Sequence, residues 1–139
     1  MEFTTNSANE TKRLGKTLAS DLVGGEVFAL SGELGSGKTT FVQGFAEGLG
    51  LKGRIISPTF ILMRKYEVGD KNFYHTDLYR LEGNIENEVI NLGLGELWER
   101  PENIVVIEWA EKVEKMIPKA AKWIKFEDLG GDRRKIIIQ

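Results

Sequence analysis

The first periodic stretch of the chain predicts an amphipathic helix. Leucines recur at every fourth residue from Leu14 to Leu22, so they share one face of a helix. Ser7 and Glu10 precede them with the spacing of a capping box, in which the serine caps the helix and the glutamate reaches back. The glycine pair Gly24-Gly25 is expected to end this helix.

Two short apolar runs predict buried strands on either side of a second helix. The first run, Glu26–Ser31, leads directly into a glycine-rich segment. The second, Ile104–Ile107, is continuously apolar, which is typical of a strand that is covered on both faces. Between them, Phe41, Phe45 and Leu49 have helical spacing and are expected to face inward.

A β-hairpin is predicted in the middle of the chain. Ile55–Tyr66 and Asn72–Leu78 are rich in residues that favour extended structure. Gly69–Asn72 joins them with glycine, aspartate and asparagine, which are turn-forming residues. Two extended segments separated by so short a turn must run antiparallel.

The remaining pattern completes one α/β domain that spans residues 1–139. Asn84 can cap a further helix, which is broken near Gly93 and Gly95. Trp123–Phe126 and Lys135–Ile138 are expected to be strands on either side of a glycine-containing loop. A chain of 139 residues is of the size of a single hydrophobic core.

The composition excludes several classes of protein. The chain is 41% hydrophobic and 29% charged, as in ordinary globular proteins, and its net charge of −2 does not favour nucleic-acid binding by bulk electrostatics. There is no cysteine, which excludes disulfides and thiolate metal sites, and His75 is the only histidine. No apolar run is long enough to cross a membrane, and the polar N-terminus does not resemble a signal peptide, so we expect a cytoplasmic protein.

Residues 32–39, Gly-Glu-Leu-Gly-Ser-Gly-Lys-Thr, match the phosphate-loop pattern G-x-x-x-x-G-K-[ST] in full. A predicted strand precedes the pattern and a predicted helix follows it, which is the context that the motif requires. Glycines allow backbone amides to approach phosphate oxygens, and the helix N-terminus adds further amides and a positive dipole. Lys38 would reach the β- and γ-phosphates, and the Thr39 hydroxyl would ligate Mg²⁺. The sequence therefore predicts a nucleoside triphosphate site.

Two acids are candidates to complete the magnesium site. Glu108 follows the apolar run Ile104–Ile107 at the carboxyl end of a predicted strand, although a surface acid there would have the same pattern. Asp77 ends the second hairpin strand, and strand alternation puts it on the same face as His75 and Tyr79. For His75, a half-buried histidine with satisfied hydrogen bonds is as good an interpretation as a functional one. Ser57-Pro58-Thr59 could sense the γ-phosphate through a hydroxyl or form a plain turn.

Three kinds of phosphate-loop protein compete. A GTPase should carry an N-K-x-D guanine reader, which this sequence lacks. A small-molecule kinase should carry an arginine-rich lid, for which few arginines are available: Arg64, Arg80, Arg100, Arg133 and Arg134 beyond the early chain. An ATPase subunit that switches a partner needs neither device.

Four ordered blocks of the sequence point to one family. They are Gly32–Phe41, Ser57–Phe60, His75–Leu81, which reads H-T-D-L-Y-R-L, and Ile107–Trp109, which contains an E-W dipeptide. With these blocks the chain resembles the TsaE family, small ATPases of bacterial tRNA threonylcarbamoyladenosine biosynthesis, over nearly its whole length. The resemblance implies a three-layer fold like that of phosphate-loop NTPases, with an antiparallel hairpin inserted in a mainly parallel sheet.

The resemblance also implies a function. It implies binding of ATP and Mg²⁺, weak hydrolysis by the isolated protein, and assembly with TsaB and TsaD, with tRNA contacted only indirectly. TsaD would transfer the threonylcarbamoyl group to N6 of adenosine 37, and the ATP cycle of this chain would reset the complex between turnovers. A small phosphate-loop metabolite kinase remains the alternative, as does a module in which ATP is structural.

Residue roles follow from the same resemblance. It implies catalytic roles for Lys38, Asp77 and Glu108, and it makes Thr39 and Glu108 the magnesium ligands. The residues implied to contact the nucleotide are Ala8, Glu10, Thr11, Gly32, Gly35, Ser36, Gly37, Lys38, Thr39, Thr40, Asp77, Trp109, Glu111 and Arg133. For the last position the choice between Arg133 and Arg134 stays open, because the C-terminal loop varies in the family.

Overall fold

A computed structural model describes residues 1–51, 63–98 and 100–139 of the chain. Within them the chain forms one sheet of seven strands, with helices on both of its faces. The elements in chain order are β1 (Glu2–Thr5), α1 (Ala8–Ala19), β2 (Val27–Ser31), α2 (Lys38–Gly48), β3 (Met63–Val68), β4 (Lys71–Asp77), α3 (Ile85–Asn91), α4 (Leu94–Leu97), β5 (Asn103–Glu108), a 3₁₀ helix (Ala110–Met116), β6 (Lys122–Gly130) and β7 (Arg133–Ile138).

The sheet is mixed, with the strand order β1-β7-β6-β2-β5-β4-β3. The centre is parallel, since β2 pairs with β5 and β6, and β5 also pairs with β4. Both edges are antiparallel: the predicted hairpin β3–β4 forms one, and β6, β7 and β1 form the other. The expectation of a mainly parallel sheet is therefore wrong: the short turns between β3 and β4 and between β6 and β7 can connect only antiparallel strands, and β1 also pairs with β7 in an antiparallel direction.

The first helix begins where the capping box predicts. The Ser7 hydroxyl accepts a hydrogen bond from the Glu10 amide at 3.1 Å, and the Glu10 carboxylate accepts one from the Asn6 amide at 3.3 Å. The helix ends at Ala19, before the glycine pair that was expected to end it. The Ser20 hydroxyl donates to the Thr17 carbonyl at 2.8 Å, which satisfies one of the terminal acceptors of the helix.

Helices α1 and α2 cover one face of the sheet with an aromatic core. Phe28 of β2 and Phe45 of α2 meet edge to face with ring centroids 5.1 Å apart, and both are fully buried. The two helices approach so closely that a Cβ on Gly44 would lie 1.8 Å from the Lys12 carbonyl oxygen. Glycine at this position therefore allows the two helix backbones to meet.

The opposite face is covered by α3, α4 and the 3₁₀ helix. These elements pack on the alternate residues of the central strands, among them Val27 and Ala29 of β2 and Ile107 of β5. All six residues of β5 are buried, as expected for a strand between two helical layers. No helix in the described part of the chain combines the length and apolar character needed to cross a membrane.

The parallel centre of the sheet places the functional residues. The strands β2, β4 and β5 run in the same direction, so their carboxyl ends meet at one edge. There, Glu108 is in register with Leu30 of β2 on one side and with Asp77 of β4 on the other. The segment that leaves β2 at this edge is the predicted phosphate loop.

Candidate functional site

The loop between β2 and α2 leaves the N-terminus of a helix open. Gly37 caps α2 in a left-handed conformation, with φ 102°, and as a glycine it supplies no side-chain acceptor for the amides of the first turn. At the other end of the loop, a Cβ on Gly32 would lie 2.6 Å from the Phe126 carbonyl oxygen, so only glycine fits there. An uncapped helix N-terminus presents amide donors and a positive dipole to an anion.

The side chain of Lys38 is buried in this loop. It is only 4% exposed, and its ammonium group donates to the Gly32 carbonyl and lies 3.5 Å from the centroid of the Trp109 ring. Burial lowers the pKa of Lys38 below its ordinary value, against the attraction of nearby carboxylates, of which that of Glu111 is the largest. The loop therefore holds a cation with little solvent around it.

Glu108 is a buried acid whose two oxygens both have partners. It is 1% exposed, so it is not the surface acid that its sequence pattern also allowed. The Thr39 hydroxyl donates to its Oε1 at 3.2 Å, and His75 Nε2 lies 2.5 Å from its Oε2. The structure thus brings the two predicted magnesium ligands, Thr39 and Glu108, into contact.

Asp77 begins a tight turn at the end of β4. Its carboxylate accepts a hydrogen bond from the Tyr79 amide at 3.0 Å, and the Tyr79 ring lies 5.1 Å from that of Trp109. Lys112 of the 3₁₀ helix holds the same turn, because its ammonium group donates to the carbonyls of Tyr79 and Leu81 at 2.7 and 3.1 Å. Lys112 carried no signal in the sequence, because only the fold brings it to this turn.

These groups line a cleft with a volume of about 330 Å³. Its walls are residues 34–40, Asp77, Tyr79, Arg80, Glu108, Trp109 and Arg134. The volume lies within the range of small-molecule sites. Tyr79 and Arg80 were not predicted as site residues, although they belong to the block His75–Leu81 that pointed to the family.

Arg134, and not Arg133, reaches the cleft. Its Nη2 donates to the Gly35 carbonyl at 3.0 Å, and Nη1 donates to Asp128 at 3.1 Å. Its Nε is buried and has no hydrogen-bond partner among the described residues. Because successive side chains of a strand point to opposite faces, Arg133 is exposed and does not line the cleft. Of the two arginines that the sequence left open, Arg134 therefore lines the cleft, and contact of either one with a nucleotide stays a prediction.

A smaller cavity of about 120 Å³ adjoins the cleft at the start of α1. It shares Gly37, Thr40 and Arg134 with the cleft, and it adds Ala8, Thr11 and Asp132. Two of the three α1 residues predicted to contact the nucleotide, Ala8 and Thr11, therefore lie beside the loop. Glu10 does not, because its carboxylate turns back to the Asn6 amide and caps α1.

Two further predicted residues lie on the segment that follows β5. Glu111 accepts a hydrogen bond from the Gly32 amide at 3.2 Å, which ties the 3₁₀ helix to the start of the loop. Trp109 has φ 60°, and it is the only residue other than glycine with a positive φ in the described part of the chain. This left-handed conformation directs the chain from β5 into the 3₁₀ helix and is strained for a bulky residue.

The residues present fit a nucleoside triphosphate with a magnesium ion. Ser36 is 1% exposed, and its hydroxyl has no hydrogen-bond partner among the described residues, so it remains available to a ligand oxygen. In the described ranges, no group of three or more acidic, histidine or cysteine side chains could hold a metal alone. Thr39 and Glu108 would therefore share the ion with phosphate and water, which is the coordination that Mg²⁺ usually takes.

One predicted feature cannot be placed. Ser57-Pro58-Thr59, the candidate γ-phosphate sensor, and the adjoining Phe60 lie outside the described residues.

Comparisons with known proteins place the chain in a family. Residues 5–136 match the family model described as threonylcarbamoyl adenosine biosynthesis protein TsaE. Two proteins named tRNA threonylcarbamoyladenosine biosynthesis protein TsaE are similar to it. The Bacillus subtilis protein is 38% identical over 136 residues, or 98% of this chain and 83% of the relative. The Treponema pallidum protein is 36% identical over 138 residues, or 99% of each chain.

A solved structure agrees with the sequence comparisons. The crystal structure of Bacillus subtilis YdiB matches this fold with a TM-score of 0.79 and 34% sequence identity, and the match covers 98% of this chain and 82% of that one. The family model and the relatives name the same family, and the solved structure shares the fold. The chain belongs to the TsaE family.

Proposed function

We propose that this chain is a magnesium-dependent ATPase subunit of tRNA threonylcarbamoyladenosine biosynthesis, which acts in the cytoplasm with TsaB and TsaD. In this proposal it does not transfer the threonylcarbamoyl group itself. Its ATP cycle resets the complex, so that adenosine 37 can be modified over many turnovers. One observation carries the ATPase assignment: Lys38, the open amides of α2 and the Thr39–Glu108 pair converge on one cleft.

Each group has a proposed role that follows from its chemistry. Lys38 and Arg134 would neutralise phosphate charge, and the loop amides would bind phosphate oxygens. Thr39 and Glu108 would hold the magnesium ion, which supplies further charge neutralisation when it is bound. Asp77, at the rim of the cleft, would orient the attacking water.

Two features support the proposal that turnover depends on a partner. In this structure the ammonium group of Lys38 is engaged by the Gly32 carbonyl and the Trp109 ring, so ATP must compete with contacts inside the protein. Leu34 and Tyr79, both in the wall of the cleft, are 69% and 43% exposed. Large apolar side chains at the mouth of a site are suited to cover by another protein.

The first experiment removes the buried cation and tests ATP binding. Lys38→Ala should abolish ATP binding in calorimetry, because it removes the phosphate-facing charge. Lys122→Ala is the matched control, since Lys122 is an exposed lysine on β6 that does not line the cleft. Normal ATP affinity of Lys38→Ala would refute the site.

The second experiment tests the role in tRNA modification. The assay contains tRNA, TsaB, TsaD and the synthase that supplies the activated threonylcarbamoyl group, and it compares product formed with and without this chain. We expect many turnovers only in its presence. Equal turnover without it would contradict the proposed role, and transfer of phosphate to a small molecule in an acceptor screen would favour a kinase instead.

A further inference from the structure

His75 is a polar side chain buried in the apolar layer between the sheet and α2. Its exposed fraction is 0%, and its ring lies parallel to that of Phe73, with centroids 6.3 Å apart and an interplanar angle of 6°. Burying an imidazole without a hydrogen bond is costly. His75 Nε2 forms a hydrogen bond with Glu108 Oε2, at 2.5 Å.

The direction of this hydrogen bond follows from the chemistry of the two groups. An ionised carboxylate only accepts, so His75 must carry a proton on Nε2 and donate it to Glu108. His75 Nδ1 has no hydrogen-bond partner among the described residues.

The bond fixes the orientation of the carboxylate. Glu108 accepts a hydrogen bond from His75 on Oε2 and one from the Thr39 hydroxyl on Oε1. Donors on both sides therefore set the plane of the carboxylate. His75 belongs to β4, which pairs in parallel with β5. The pairing places His75 beside Val106, two residues before Glu108. The donor is therefore built into the sheet and cannot follow Glu108 if its side chain turns.

We infer that His75 is a positioning residue for magnesium binding, which acts by holding Glu108 Oε2 and thereby presenting Oε1 beside the Thr39 hydroxyl. The inference rests on the proposed function, because it assumes that Thr39 and Glu108 take the ion. His75 itself is not a ligand in this inference, since it does not line the cleft and its Nε2 faces Glu108. Loss of such a supporting hydrogen bond typically costs about 10- to 100-fold in metal affinity.

The test separates magnesium binding from nucleotide binding. Calorimetry gives the dissociation constant of a non-hydrolysable ATP analogue with saturating magnesium and with chelator. The magnesium ratio, which is the dissociation constant in chelator divided by that in magnesium, measures how much the ion strengthens binding. His75→Phe, which keeps a ring but removes the donor, should lower this ratio about 10-fold or more and leave the affinity in chelator unchanged. Glu108→Gln should lower the ratio at least as far.

A matched pair keeps the test decisive if His75→Phe fails to fold. The side-chain amide of glutamine can place a donor near the position of Nε2, whereas that of asparagine is too short. His75→Gln should therefore keep most of the ratio and His75→Asn should lose it. Phe73→Leu, which loosens the packing of the same strand, should lower the melting temperature without changing the ratio.

The outcomes distinguish this inference from the proposed function. If the unaltered protein does not bind the analogue, the proposed function fails. If it binds with a strong magnesium effect that His75→Phe or His75→Asn retains in full, the positioning role is wrong. A ratio that falls equally in Phe73→Leu would show that packing, and not the hydrogen bond, sets Glu108.

Discussion

The ammonium group of Lys38 lies 3.5 Å from the centroid of the Trp109 ring, inside a loop that water hardly reaches. The two residues come from α2 and from the end of β5, so the contact joins the predicted phosphate site to the segment that carries Glu111. A cation over an indole face is attracted by the ring, more strongly when it is desolvated. A phosphate that draws the ammonium away therefore changes the surroundings of the indole.

Trp109 should consequently report nucleotide binding by its fluorescence. In the double variant Trp98→Phe/Trp123→Phe, Trp109 is the remaining tryptophan, and we expect its emission to change on addition of magnesium and ATP. The single variant Trp109→Phe should lose the signal while calorimetry still detects binding. An unchanged emission of the double variant would mean that the nucleotide does not disturb the contact with Lys38, and a signal of unchanged size in Trp109→Phe would mean that another tryptophan reports binding.

The buried lysine also predicts a pH dependence of stability. Desolvation lowers the pKa of Lys38 below its ordinary value of 10.5. Between the lowered pKa and 10.5, the folded protein binds fewer protons at this group than the unfolded chain does. The contribution of Lys38 to the free energy of unfolding therefore rises with pH in that window, because the cost of burying its charge disappears.

Chemical denaturation at a series of alkaline pH values measures this effect. The difference in unfolding free energy between the unaltered protein and Lys38→Met should shift in favour of the unaltered protein as the pH rises. Lys122→Met, at an exposed position, is the control and should show no such shift. Nucleotide affinity should change in the opposite direction. Phosphate binding needs the ammonium form of Lys38, so the affinity should fall as the pH rises over the same window.

Asp77 should affect hydrolysis more than binding. Asparagine keeps the oxygen that accepts the Tyr79 amide at 3.0 Å, so the turn should survive in Asp77→Asn. The charge that would orient water is lost, and we expect partner-stimulated ATP hydrolysis to fall by about 100-fold or more. ATP affinity by calorimetry should stay within a few-fold. Unchanged stimulated turnover would make Asp77 a structural residue of the turn.

The same variant separates an ATP-driven switch from a structural ATP site. If turnover matters, Asp77→Asn should support no more cycles of tRNA modification than Lys38→Ala does. If ATP is only structural, Asp77→Asn should behave as the unaltered protein does. The two variants are compared at equal concentration in the reconstituted assay.

The sequence predicted those parts of the site that depend on local rules. The loop at residues 32–39 follows from its glycines and from the elements on either side. Asp77 and Glu108 end neighbouring parallel strands, and the ends of such strands meet at one edge. The contact between His75 and Glu108 was beyond prediction, because it joins residues 33 positions apart and depends on how β4 pairs with β5.

The antiparallel edge strand β1 could not be predicted either. β1 is four residues long, and its pattern gave no strand signal. It becomes a strand because β7, at the other end of the chain, offers a free edge in register with Glu2–Thr5. Pairing of this kind is determined by the whole fold, so local propensity could not reveal it.

The close contact between helices α1 and α2 predicts an effect on the free energy of unfolding that is independent of the site. A methyl group on Gly44 would overlap the Lys12 carbonyl oxygen, at 1.8 Å, so Gly44→Ala should separate the helices and cost about 3 kcal/mol of unfolding free energy. Gly95→Ala is the control, since the nearest atom that its Cβ would meet among the described residues is Trp98 Cζ2, at 3.9 Å. Thermal denaturation compares them, and equal melting temperatures would contradict the close packing.

The choice between the two C-terminal arginines can be settled by a matched pair of variants. Arg134 donates to the Gly35 carbonyl and keeps a buried Nε without a partner in the described part of the chain, whereas Arg133 is exposed. A hydrogen bond from a charged donor contributes about 1.5–3 kcal/mol, which corresponds to about 10-fold or more in affinity. Arg134→Ala should therefore weaken ATP binding about 10-fold in calorimetry, and Arg133→Ala should leave it within two-fold. Circular dichroism checks that β7 is intact in both. The reverse order of effects would mean that β7 presents its other face to the nucleotide.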